Sequence, residues 1–129
     1  MGRFMSTGLI VKLSDAPRDL QRNIRAFWPK SEWENAANIA YLESGWDANA
    51  TNDTTSQDTP CGTVIAQRNG VEITAEYSLG YFQINSCNFP TWDAQSLLDP
   101  YQNCGTAHMI WDQQGWAAWY FSAQALGIL

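Results

Sequence analysis

One segment of this chain has both of its ends written into the sequence. Pro29 breaks the preceding helix, and Ser31 with Glu34 makes the Ser-x-x-Glu capping box. In that pattern hydroxyl and carboxylate reciprocally satisfy free backbone donors at a helix start. Gly45 supplies the C-terminal stop. Between these marks Trp33, Ala36, Ala37, Ala40 and Tyr41 recur at three- and four-residue spacing, while Glu32, Asn35 and Asn38 are polar. A helix with one apolar face is therefore expected from Ser31 to the Gly45 stop. Glu43 falls on the apolar side, three residues after Ala40 and seven after Ala36. Periodicity alone is also satisfied by a carboxylate that frays into solvent, so the meaning of Glu43 has to come from elsewhere in the chain.

It comes from Tyr77 to Ile84, a short apolar and aromatic run interrupted by Gly80 and carrying one amide, Gln83. Gly80 permits a bend or a close backbone approach, and Gln83 can both donate to and accept from a polar ligand. Upstream, Thr63 to Gln67 and Val71 to Tyr77 flank Arg68-Asn69-Gly70, and the Asn-Gly pair favours a tight hairpin turn. Asn49 to Pro60 is rich in Thr, Asn, Asp and Ser and reads as an exposed loop, a candidate substrate rim. Asp15 and Pro17 should open a first helix with Leu20, Ile24 and Phe27 on one face. Trp92 to Leu98 should form a short helix, and Asp99-Pro100 should cap a longer one carrying Tyr101, Cys104, Ala107, His108 and Trp111 up to Gly115. A last helix is expected from Trp116 to Leu126, stopped by Gly127.

With 129 residues and 45% hydrophobic content, one domain over residues 1 to 129 can bury a core, and no run is long enough to span a membrane. The chain is expected to be monomeric. Met1 to Leu13 holds a brief Leu-Ile-Val run that Lys12 interrupts, which does not read as a signal peptide. Charge is unevenly placed. Residues 1 to 30 carry six basic side chains against Asp15 and Asp19, whereas residues 31 to 129 carry Arg68 against eleven acids. The basic stretch reads either as a solvated face or as a docking face for an anionic polymer or partner. The acidic remainder argues against a nucleic-acid partner.

Of seven Trp residues most should build the core, with Trp46 and Trp92 assigned to the cleft. His108 reads as a helix residue at the core edge, and the single His and three scattered Cys have no metal-site spacing, so no metal or cofactor is expected. Cys61, Cys87 and Cys104 suit either three thiols or one disulfide, Cys87 joined to Cys104 or to Cys61. A cysteine nucleophile is disfavoured, since no second His accompanies the first.

The strings Glu43-Ser44-Gly45-Trp46, Asn49-Ala50-Thr51-Asn52 and Gly80-Tyr81-Phe82-Gln83-Ile84-Asn85-Ser86 resemble the lysozyme superfamily. Within it they are most similar to the soluble lytic transglycosylase and goose-type group. Leu98-Asp99-Pro100, Asn103 and Gly115-Trp116-Ala117-Ala118-Trp119 resemble the helix that closes such domains, so the likeness runs over about residues 31 to 120. The resemblance implies a lysozyme-like α+β fold, mostly helical with one small hairpin beside the active-site cleft. It implies that Glu43 protonates the glycosidic oxygen between N-acetylmuramic acid and N-acetylglucosamine in peptidoglycan. Trp46 would wall the acid, and Ser78, Gly80, Tyr81, Gln83, Asn85 and Trp92 would line or bind the glycan strand.

The chain departs from the chicken-type members of the family at Ser78, where those carry an Asp two positions before the glycine. A serine cannot stabilise an oxocarbenium ion by charge or form a glycosyl ester. Glu76, on the same strand face as Ser78, is the candidate second carboxylate, while Asp53 and Asp58 read as solvated loop acids. The lytic transglycosylases work with one Glu. A non-catalytic glycan-binding relative and a chitin- or chitosan-cleaving hydrolase are the alternatives on the same fold. Without a signal peptide, such a catalytic domain suits a phage endolysin or a virion-associated lysin that reaches the wall through lysis or injection.

Overall fold

The computed structural model describes residues 8–53, 62–74, 77–85 and 94–129. A 3₁₀ turn (Leu13–Asp15) leads into α1 (Arg18–Phe27), and a second (Lys30–Glu32) into α2 (Trp33–Ser44). The strands β1 (Thr51–Asp53), β2 (Val64–Arg68), β3 (Val71–Thr74), β4 (Tyr77–Leu79) and β5 (Ile84–Asn85) follow. A 3₁₀ segment (Ala94–Leu98) precedes α3 (Pro100–Gln114), and another (Gly115–Trp119) precedes α4 (Tyr120–Leu126). The fold is α+β: helices with small antiparallel sheets.

Helix α2 ends as its sequence dictates, with Gly45 at φ 64° and its N–H on the Tyr41 carbonyl. Its start differs from expectation. The capping box does not form, because the 3₁₀ turn at Lys30–Glu32 occupies the first turn and Glu34 is drawn away, its Oε1 accepting from the Leu13 N–H at 2.8 Å. Nor is the polar face what the periodicity suggested. Ala36, Ala37, Asn38, Ile39 and Ala40 are all buried, so α2 runs through the core instead of lying on it. Asn38 is satisfied there by four bonds. Its Oδ1 accepts from the N–H groups of Ile10 and Val11, and its Nδ2 donates to the carbonyls of Val11 and Glu34. This one amide sews residues 10 and 11 onto the central helix.

Pro17 caps α1, and Leu20 and Ile24 are fully buried against the same core. Asp15 belongs to the preceding 3₁₀ turn and not to the helix itself. Around Trp28 an aromatic cluster assembles: Trp116 stacks on it at 5.8 Å, Phe82 lies at 5.2 Å, and His108 meets it edge-on at 5.5 Å. His108 thus sits at the core edge, as read.

Two small sheets replace the single hairpin expected. β2 and β3 form the hairpin, with Asn69 and Gly70 both at positive φ in its turn. β1, β4 and β5 form a separate antiparallel sheet in which Ser78 lies opposite Asn52 and Asn85. The short run from Tyr77 to Ile84 is therefore two strands and the turn between them, because Gly80 at φ 76° and Gln83 at φ 50° fold the chain back on itself.

That turn is locked by α3. Asp99 caps the helix, accepting the Gln102 N–H at 3.0 Å, and Pro100 opens it. One turn on, the fully buried Asn103 donates to the carbonyls of Leu79 (2.7 Å) and Leu97 (2.8 Å) and accepts from the Phe82 N–H (2.9 Å). A Cβ at Gly80 would strike the Asn103 side chain and come within 2.7 Å of the Leu97 carbonyl, so the close approach admits only glycine. The helix expected over Trp92 to Leu98 is 3₁₀ over Ala94–Leu98. The last helix likewise starts later, at Tyr120, since Gly115 at φ 65° is followed by a 3₁₀ segment. Cys104 is a buried free thiol, so the Cys87–Cys104 disulfide is not formed, and Cys61 and Cys87 lie outside the described residues. No described helix is long and apolar enough to cross a membrane.

Candidate active site

Glu43 opens onto a cleft of about 240 Å³ shared with Gln83, Ile84, Asn85, Ile110, Ala118, Trp119, Tyr120 and Phe121. Three parts of the fold meet there: the last turn of α2, the turn and strand at Gln83–Asn85, and the segment joining α3 to α4. The Trp119 indole N–H donates to the Phe82 carbonyl at 2.8 Å, tying the third part to the second.

The Glu43 carboxyl is half-buried, and burial pushes its pKa above the ordinary 4.5 because the anion loses hydration. Its one opposing influence is Ser122, whose hydroxyl donates to Oε2 at 2.6 Å and favours the charged form. Desolvation is the larger of the two, so the net effect is a raised pKa. Among the described residues Glu43 is the only carboxylate lining this cleft. A lone protonatable group in a half-apolar cleft can give a proton to a leaving oxygen and take one back, which is acid and base work by a single residue.

Of the residues expected around it, Gln83 and Asn85 line the cleft. Gln83 commits its Nε2 to the carbonyls of Ala50 and Gly80, both at 3.1 Å, which leaves its Oε1 as the acceptor a ligand can use. Four others are placed differently. Tyr81 is 3% exposed and is a core anchor, its hydroxyl donating to Asp19 Oδ1 at 2.7 Å; burial and the Asp19 charge together push its pKa up. Gly80 acts one step removed, by admitting Asn103. Ser78 is half-buried in the middle of β4 and does not line the cleft, and neither does Trp46. Trp46 folds back on its own helix at φ 63°, donating to the Ala37 carbonyl and meeting Tyr41 edge-on at 5.1 Å. The apolar wall comes instead from Ile84, Ile110, Ala118, Trp119, Tyr120 and Phe121. The hairpin does not line the cleft; the turn of the three-stranded sheet does. Glu76, Trp92 and Asp58 lie outside the described residues, as does the Asp53 side chain.

Ser122, Tyr120 and Phe121 are the residues that sequence reasoning missed. Phe121 is 84% exposed and packs edge-on with Tyr120 at 5.4 Å. The available sequence signal was phase: Trp119, Ala123 and Leu126 share the buried face, and Phe121 falls off it. The Ser122 contact had none, being a bond across 79 positions.

No family model matches this chain, and neither a curated protein nor a solved structure does so.

Proposed function

We propose that this protein cleaves the β-1,4 bond between N-acetylmuramic acid and N-acetylglucosamine in peptidoglycan, with Glu43 as its single acid and base and a lysozyme-like active site. The observation that carries the reading is a half-buried carboxyl, held toward its neutral form, the only carboxylate among the described residues of a cleft with amide and aromatic lining. The likeness of the Glu43 and Gly80–Asn85 strings to lytic transglycosylases agrees with it.

On this reading a glycan strand lies in the cleft with the scissile oxygen beside Glu43. The neutral carboxyl donates its proton to that oxygen as the bond to the anomeric carbon breaks, and the N-acetylglucosamine side leaves as an alcohol. The resulting Glu43 carboxylate then accepts the proton of the muramic acid C6 hydroxyl, whose oxygen closes onto the anomeric carbon to give a 1,6-anhydro ring. No second carboxylate is needed for this sequence, which fits Ser78 better than a retaining two-carboxylate scheme does. Gln83 Oε1 accepts from an acetamido N–H, and Tyr120 with Phe121 offers ring faces to the sugar.

Glu43→Gln removes the titrating proton at nearly constant shape, and it should abolish clearing of purified cell walls while the protein stays folded. Unchanged clearing would remove Glu43 from the chemistry. Mass spectrometry of the digest separates the outcomes: anhydro-muropeptides for transglycosylation, reducing ends for hydrolysis, and no products for a glycan-binding protein without catalysis.

A further inference from the structure

Helix α1 carries Arg18, Arg22 and Arg25 at spacings of four and three residues, which puts the three side chains on one face. With Ser14, Ala16 and Gln21 they line a shallow concavity, and Arg25 continues into a neighbouring one with Trp33, Lys12 and Leu9. The Arg25 guanidinium sits 5.7 Å over the Trp33 ring, which fixes one of the three charges in place. None of the three has a hydrogen bond or ion pair with another described residue. Of the nearby acids, Asp19 accepts from Tyr81 and the Leu20 N–H and Glu34 from the Leu13 N–H, while Asp15 is exposed and makes no ion pair with a described residue.

This arrangement costs stability. Like charges at these spacings repel, and Arg18 at the first helical position opposes the helix dipole. Asp19 in the first turn and Arg25 in the last turn favour the dipole, but no ion pair within the described fold engages the three arginines, which leaves them open to an anionic partner. The protein as a whole carries a formal charge of −6, so any anionic surface repels it everywhere except at such a patch. A lipid bilayer is a poorer fit for this face, because on α1 Leu20 and Ile24 are fully buried, Phe27 packs on Tyr101 and His108, and Ala26 alone among its apolar residues is exposed. The arginine backbones lie about 6 Å and about 4.5 Å apart along the helix axis, a row that suits a partner repeating anionic groups along one strand. A phosphodiester backbone does so, whereas peptide carboxylates clustered once per disaccharide do not.

We infer that the arginine face of α1 is a docking site for a phosphodiester polymer attached to the cell wall. The partner rests on the wall-cleaving reading above, but the site shares no residue with the Glu43 cleft, so the two fail separately. The test is co-sedimentation of the full chain, as Glu43→Gln to prevent digestion, with purified walls that either keep their phosphodiester polymer or have been stripped of it by hydrofluoric acid. Combining Arg18→Gln, Arg22→Gln and Arg25→Gln should lower binding to polymer-bearing walls by about tenfold or more at 50 mM salt and flatten its salt dependence. Stripped walls should bind both forms alike. With Glu43 restored, the triple variant should cleave soluble glycan fragments at an unchanged rate, and thermal melting checks that it folds. Equal binding of both forms to polymer-bearing walls would overturn the inference, as would tighter binding of the parent to anionic vesicles or duplex DNA than to the polymer. If the triple variant behaves as expected but Glu43→Gln leaves clearing intact, docking stands and the catalytic reading falls.

Discussion

Burial outweighs one hydroxyl and raises the Glu43 pKa, and that imbalance has a consequence for stability. A carboxyl with a raised pKa binds more protons folded than unfolded, so folding stability falls as pH rises from 4.5 through the folded value. Glu43→Gln removes the titration. Its melting temperature should match the parent below pH 4.5 and exceed it above the folded pKa, as thermal melts across pH would show. Ser122→Ala takes away the bond that favours the anion, so the pKa of Glu43 should climb further and the alkaline limb of kcat/KM should move to higher pH. A limb that moves downward, or stays, would mean that Ser122 does not act on the acid. Phe121→Ala should raise KM about fivefold with kcat nearly unchanged, the loss of about 1 kcal/mol of ring contact with the sugar.

The turn between β4 and β5 reaches the cleft only because α3 holds it. Gly80→Ala should destabilise the fold by about 2 kcal/mol or more in denaturant titration, from its left-handed φ and from contact with Asn103 and Leu97. Because Gln83 leans on the Gly80 carbonyl, activity should fall further than the loss of folded protein explains. Much of this was legible beforehand. The Asp99-Pro100 cap, the Gly45 and Gly127 stops and the Asn69-Gly70 turn are local effects, each decided within a few residues, and each stands where the sequence put it. What misled were decisions made over long separations. Glu34 left its capping box for Leu13, Asn38 turned from a polar face into a buried clasp, and Tyr81 left the cleft for Asp19. In each case a partner 21 to 62 positions away outbid a local pattern, and no periodicity encodes such a partner.

Order is spread unevenly through the protein. The helices share one buried aromatic and aliphatic cluster, whereas every residue of β2 is exposed and Val71 is 64% exposed. Amide exchange should therefore be fastest in β2 and β3 and slowest in α2 and in α3 around Asn103, and Val71→Thr should change stability by less than about 0.5 kcal/mol. Protection of the hairpin equal to that of α2 would contradict this. The site reading has the same uneven legibility: Glu43, Gln83 and Asn85 came from sequence strings, while the aromatic wall came from elements that meet only in the folded chain.

The bond from Ser122 to Glu43 joins the end of α2 to α4, the last element of the chain to leave the ribosome among those that build the cleft. As a nascent polypeptide grows, the acid is therefore synthesised long before its wall and its partner exist, and it stays hydrated, with the pKa of an ordinary side chain. On the proposed reading the site would stay incomplete until α4 docks on α2.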